Sequence, residues 1–485
     1  MAQLIDPERF ALSLLFQRMN WPVPMVRWRA AKQIRNLLNA PDTRDRAITA
    51  LLSHLEASPT ESEACSFLTI LMLTDPAARP ASKEVEVRLQ RPSVLSSVLL
   101  KQIYDTPIDD AAWSEAHSGT VPDDFKPDQY FEEHKSAHVP PIFRSNLRRL
   151  ERNSGLPFIR QWAFEWKTLQ DRLQTRYTRY AHYFDDTTER GSIVGQYQQR
   201  QSENFRSAYL RVIALAVSKW RMPVRAAIDE CLDSAPAIAG LFELEPVDRP
   251  AWLSDIPERC LAPDAGLQET AQELSRAGTI GAQRVVSLRT PFRADMALYG
   301  DLELAAFFVT DDFQPRVDRP LYEPREIILL REHFDLQGQQ LTLTADELAR
   351  EGESGIAVPV CISLFPIPYG YWQGDHFSVG LTAPASYCLP ATAVLKCTAS
   401  AIEVVDSGTA IASTQIWHDQ WTPRYPRENG STRCGVVTML DAAELAKAQA
   451  ALGLRLAWFI KRRVWTRETD YGAFRLEERR ALCIE

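Results

Sequence analysis

The sequence predicts an α+β multidomain protein, with an α-helical N-terminal half and a β-rich C-terminal domain that carries a late amphipathic helix. Three observations predict it. Apolar residues recur at spacings of three and four through roughly the first 280 residues, the signature of helices buried on one face. From residue 282 that period gives way to short β-branched runs, among them RVVSL, LAAFFVT, GIAVPVCISL, ATAVLKC, AIEVV and TAIASTQIW, separated by Gly, Pro, Asp and Asn. The length, 485 residues, exceeds one ordinary core and implies two or three domains.

The elements follow in order. Asp6 and Pro7 open a first helix with Phe10, Leu14 and Leu15 on its stripe. In WPVPMVRWRAAKQIRNLL, residues 21–38, Pro24 suits the first helical position. Val26, Ala30, Ile34, Leu37 and Leu38 line one face, and Asn39 with Pro41 ends the helix. A third helix spans about Thr43 to Leu55. A fourth starts at a Thr60–Glu63 capping box and turns Ala64, Phe67, Leu68 and Leu71 inward. A fifth runs from Val94 to Tyr104.

Prolines then interrupt residues 106–156. Helices return at Pro157, where Trp162 and Trp166 share a stripe. They continue from Gln198 to Trp220, after Met222-Pro223, and from Ala265 to Ala277, where Gly278 stops the last. In the β-rich part, Asp441 with Glu444 caps an amphipathic helix expected to reach Ile460, before strands at Arg463–Thr466 and Phe474–Cys483. The expected domains are therefore 1–105, a connection at 106–156, a helical domain at 157–280 and a β-rich domain at 281–485.

Ala30 and Ile34 recur as Ala64 and Leu68, an offset of 34 residues. Two helices in that length make one α-solenoid unit. With the phrase VRWRAA, residues 26–73 resemble a HEAT-type helical hairpin array. Short arrays of this kind look like the sensor or adaptor regions of large bacterial signalling and antiviral-defence ATPases. That resemblance implies work beside a separately encoded ATPase or effector, because no GxxxxGK[ST] loop is present.

The net charge of −8 argues against indiscriminate binding to nucleic acid, without excluding a local basic groove. The eight cysteines form no CxxC pair and read as reduced, mostly buried thiols of a cytoplasmic protein. No run of eighteen apolar residues predicts a membrane span. GxGxxG and GxSxG are absent as well.

Five constellations could carry function. Pro122-Asp123 followed by Glu133-His134-Lys135 resembles the PD…ExK pattern of metal-dependent nucleases. There Asp123 and Glu133 would hold Mg²⁺ or Mn²⁺ and Lys135 would activate water; an ordered acidic loop is the plainer reading. His134 and His138 would share a helix face, but Pro140 and Pro141 cut that helix off, and no metal site is assigned. Cys361, His376, Cys388, Cys397, His418 and Cys434 are dispersed without zinc-knuckle spacing. Arg462, Arg463 and Trp465 lead a C-terminal mixture of cations and aromatics that could bind phosphates and bases, or form a salt-bridged strand pair. Arg27, Arg29, Lys32 and Arg35 form a basic outer face on the opening helix, which reads as solvated surface or as a binding face.

The function expected from these features is that of a non-enzymatic adaptor or sensor subunit binding protein partners, with no cofactor. A nuclease and a nucleic-acid-binding module stand as alternatives.

Overall fold

A computed structural model describes residues 7–21, 24–108, 110–127, 141–173, 196–232, 234–260, 262, 266–293, 297–316, 343–365, 372, 380–418, 432–469 and 472–485. They form an α+β protein of two compact units. One unit comprises residues 1–239 with 368–375, and the other residues 240–367 with 376–485.

The first unit is helical. Its elements are α1 (Pro7–Gln17), α2 (Pro24–Asn39), α3 (Pro41–Glu56), α4 (Glu61–Met72), α5 (Ser82–Arg88), α6 (Val94–Tyr104), α7 (Pro141–Ser154), α8 (Phe158–Leu173), α9 (Gln196–Trp220) and α10 (Val224–Leu232). The stripe of α2 is buried at Ala30, Ile34 and Leu38, and Pro41 starts α3 after a break at Ala40. Thr60 caps α4 by accepting the Glu63 N–H at 3.3 Å. Every residue of α4 is buried, because α3, α6 and α9 all pack against it. Asp105 ends α6 in the left-handed conformation, φ 55°. The tryptophans of α8 lie in the core: Trp162 and Trp166 stack on Phe205 of α9, with ring centroids 5.5 and 5.4 Å away.

The second unit is built on an eleven-stranded antiparallel sheet. Its main path runs β13 (Arg475–Ile484), β12 (Arg455–Thr466), β3 (Leu298–Val309), β2 (Gln283–Arg293), β11 (Thr432–Asp441), β10 (Thr409–His418), β9 (Ile402–Asp406) and β8 (Val394–Cys397). Three shorter strands complete it, β1 (Thr279–Ile280) beside β2 and β4 (Arg350–Glu351) with β5 (Ile356–Pro359) beside β3. A separate pair, β6 (Cys361–Phe365) and β7 (Leu381–Pro384), adds a second small sheet. The helices of this unit are α11 (Ile256–Arg259), α12 (Leu267–Ala277), α13 (Ala345–Leu348) and α14 (Ala442–Leu452). The buried side of α12, Leu267, Ala271 and Leu274, faces β12 and β13.

One expectation changes here. The late helix, capped by Asp441 through the N–H groups of Ala443 (2.8 Å) and Glu444 (3.3 Å), ends at Leu452 rather than Ile460. Gly453 takes φ 63° and stops it, and Leu456, Trp458 and Ile460 alternate as one face of β12. Residues 432–441, for which the sequence suggests no element, are the strand β11 between β2 and β10. Of the other β-branched runs in the sequence, REIILL (325–330) lies outside the described residues, as do the first three residues of QLTLT (340–344) and of FSVGL (377–381).

Candidate functional site

The register of the central strands places charged residues in two adjacent rows on one sheet face. In the first row Glu478 of β13, Arg463 of β12 and Asp301 of β3 are direct cross-strand neighbours. In the second, Arg480, Lys461, Glu303 and Arg289 of β2 stand side by side. Strand alternation does this: residues two apart project from the same face, so Asp301-Leu302-Glu303 and Lys461-Arg462-Arg463 each supply two charges to it.

The contacts are close. Arg289 Nη2 donates to Asp301 Oδ2 at 2.9 Å and Arg289 Nε lies 3.1 Å from Glu303 Oε1. Arg463 Nη2 donates to Asp301 Oδ2 and, at 2.6 Å, to Glu303 Oε1. Lys461 Nζ sits 2.6 Å from Glu303 Oε2. Both carboxylates are buried. Burial pushes the Asp301 carboxyl up, but the guanidiniums of Arg289 and Arg463 outweigh it and hold it below the usual range. Burial also pushes Glu303 up, and the neighbouring Asp301 charge adds to that, against the pull of Arg289 and Lys461. The two therefore lose their protons in separate steps. Chemically, the lattice is a cross-strand pin in which three cations more than balance two acids.

Beside it lies an aromatic end. Trp465 stacks on its cross-strand partner Tyr299 with centroids 4.7 Å apart, and Phe474 meets Tyr299 edge-on at 4.9 Å. The Arg463 guanidinium lies 5.5 Å from the Trp465 ring, and that of Arg467 4.9 Å from Phe474. Phe474 and Leu476 are exposed. Arg462 points to the opposite face and is buried. Its Nη1 donates to the carbonyls of Cys260 (2.8 Å) and Ala262 (2.7 Å), and its Nη2 to Glu477 at 2.6 Å. Arg463 and Trp465 thus belong to one surface and Arg462 to another.

In the helical unit a second polar cluster is buried between α4, α8 and α9. Glu165 accepts the Ser118 N–H (2.7 Å) and hydroxyl (2.8 Å), with Arg211 Nε 3.4 Å away. Arg211 also lies 3.6 Å from Glu61. Gln161 clamps the chain at 119–121, accepting the Val121 N–H and donating to Gly119 O. Burial raises the Glu165 carboxyl, against Arg211 and the Ser118 bonds. His117 Nδ1 accepts the Gly119 N–H at 3.0 Å, so Nε2 carries the proton toward Ser218 Oγ at 2.8 Å. Burial, then Lys219 and Arg211, lower its pKa.

The residues singled out from sequence scatter. Asp123 stands on an exposed turn whose backbone carbonyl accepts from Arg160 Nη2 at 2.8 Å. Glu133, Lys135, His134 and His138 lie outside the described residues. Arg27 is buried and donates to Trp21 O at 2.8 Å, whereas Arg29 is exposed. Lys32 lies over Trp28 at 4.6 Å, and Arg35, half-buried, donates to Asn36 Oδ1 at 3.1 Å. The four do not form one outward face. Burial pushes the Cys65 thiol up to about 12 and raises Cys361 and Cys388 as well, the reverse of activation. Among the described residues no group of three or more His, Cys, Asp or Glu side chains could hold a metal ion, and no helix is long and apolar enough to cross a membrane.

Sequence reading missed Asp301, Glu303, Glu165 and Arg211. For the two helical residues a signal existed: Glu165 falls in phase with Trp162 and Leu169, and Arg211 sits within the buried run of α9. A charge in phase with a buried stripe needs a partner. The chain matches no family model, and no curated protein matches it.

Proposed function

We propose that this chain is a non-enzymatic interaction subunit, an adaptor or sensor that offers its first helices to a protein partner. The observation that carries this reading is the outward face of α1. Phe10 and Leu14, one helical turn apart, are 51% and 44% exposed, and Trp21 just beyond is 38% exposed. Three large apolar side chains exposed within twelve residues of the chain favour a contact site. The HEAT-like reading of α2 to α4 fits such a role, and by that likeness the partner is a separately encoded ATPase or effector. The test is a native pull-down from the source cell with the mass of the complex measured, repeated with Phe10→Asp/Leu14→Asp. The double variant is expected to lose the partner while keeping its melting temperature. Equal capture by both proteins would sink the reading.

The stacked pair Tyr299–Trp465, flanked by Arg463 and Arg467, favours a second reading, a nucleic-acid-binding surface at that end of the sheet. Binding of single-stranded oligonucleotides should weaken with salt and fall on Trp465→Ala. Binding insensitive to both would argue against it.

A further inference from the structure

The sheet has two long-path edges, and they are unlike. β8 is four residues long, short enough to be blunt. β13 is ten residues long and pairs with β12 over its whole length without a bulge. It carries no proline, and its first six residues are exposed. Natural edges of this length are usually protected by bulges, prolines or a covering element.

The backbone direction on this edge follows from one bond. The Glu485 N–H donates to Leu456 O at 2.9 Å, directly across the ladder. In an antiparallel pair the inward-facing residues alternate, so the odd-numbered residues of β13 bond to β12. Leu476, Glu478, Arg480, Leu482 and Ile484 direct their N–H and C=O groups outward. Among the described residues these outward groups have one partner, Gln268 Nε2, which reaches Leu482 O at the long distance of 3.4 Å.

We infer that β13 is a self-pairing edge, on which a second copy of this chain adds antiparallel about a two-fold axis through Arg479 and perpendicular to the sheet. The side chains select this register. It sets Glu478 opposite Arg480 of the second copy and Arg480 opposite its Glu478. Leu476 meets Leu482, and Phe474 meets Ile484. All of these belong to the face that carries the charge lattice, and each opposed pair is either unlike in charge or apolar on both sides. A shift of one residue toward the N-terminus of each strand, with the axis through Glu478, would oppose Glu478 to itself and Leu476 to Arg480. On the other face Arg479 meets its own copy at the axis, but each Arg479 is held by Glu477 of its own chain at 2.9 Å. Glu478 and Arg480 are already ion-paired within the strand, with Arg480 Nε donating to Glu478 Oε1 at 2.6 Å, so both are set on the edge before pairing. Outward backbone groups supply the attraction and the side chains supply the register, as in strand addition generally.

The test is the mass of the full chain in solution across a range of concentration. Twice the monomer mass of 55.0 kDa is expected at the high end. Glu478→Arg and Arg480→Glu each replace two attractive contacts per dimer with two repulsive ones, and each should weaken dimerisation by about tenfold or more. Mixed together, the two variants should pair again as a heterodimer, because the introduced arginine of one then faces the introduced glutamate of the other. Recovery in the mixture also shows that both variants are folded. A wild type that stays monomeric, a dimer indifferent to either change, or a mixture that fails to recover would overturn the inference.

Discussion

His117 shows how one side chain reports its surroundings. Its Nδ1 accepts from Gly119 N, and its Nε2 faces Ser218, so the fold requires a neutral ring. Burial and the nearby Lys219 and Arg211 lower its pKa in the same sense. A folded-state pKa below the unfolded one contributes stability above about 6.5 that is lost as pH falls through the folded value. Ring-proton NMR should therefore place the His117 midpoint below that of a free imidazole, and a midpoint at or above it would refute the assignment. Asp301 and Glu303 make an opposed pair. Asp301, held low by Arg289 and Arg463, stabilises above the ordinary carboxylate value and loses that contribution as pH falls through its folded pKa. Glu303, held high by burial and by Asp301, favours the fold at low pH and loses that contribution as pH rises through its folded pKa. Asp301→Asn should then destabilise strongly at neutral pH and progressively less in acid. Glu303→Gln should cost less at neutral pH and flatten the pH profile of chemical denaturation. Equal costs and parallel profiles would show that the two carboxyls are not split.

At the scale of elements, most helices were legible because their period and their caps agree. The α6 boundaries, Val94 and Tyr104, follow from its apolar stripe and the Ser93 cap. The sheet was less so. β12 reads as a continuation of α14, since AWFIKRRV is compatible with either period and only Gly453 separates them. β11 escaped because Gly435 interrupts it, and glycine weakens a strand signal. Its reason is tertiary. Gly435 lies directly opposite Trp417 of β10, and a Cβ there would stand 2.3 Å from the indole Cζ2 and 2.6 Å from Arg289 O. The buried indole occupies the space that a side chain would need. Gly435→Ala should thus cost about 1–3 kcal/mol or more by overpacking, read from the midpoint of urea unfolding. A neutral result would mean that Trp417 can move aside. The cap at Thr60 offers a gentler check: Thr60→Ala should cost about 1 kcal/mol through the lost Glu63 N–H bond. Neither the ionic lattice nor the β13 register could be read from sequence, because both depend on which strands are neighbours, and β3 and β12 are far apart in the chain.

At the scale of the molecule the chain divides between Ala239 and Gly240, yet the division is not a single cut. Residues 368–375, from the midst of the sheet unit's sequence, belong with the helical unit. Trp372 is the described residue of that segment. It is buried, and its N–H donates to Pro236 O at 2.6 Å. The helical unit consequently takes a core tryptophan from a point over a hundred residues beyond its own last helix. Local periodicity carries no trace of such a loan, which explains why sequence boundaries drawn from composition alone follow a linear order. The physical consequence is specific. Removing a buried tryptophan side chain typically costs about 3–5 kcal/mol. Stability in a protein of two units is not uniform, so the loss should concentrate where the side chain packs rather than where it lies in sequence. Trp372→Ala should lower amide exchange protection around Ala235 to Ile238 and in α10, while the central strands β3 and β12 keep theirs. For the same reason, a fragment ending at Ala239 should be less stable than the helical unit within the full chain. Loss of protection confined to the sheet unit would show that Trp372 serves that unit instead.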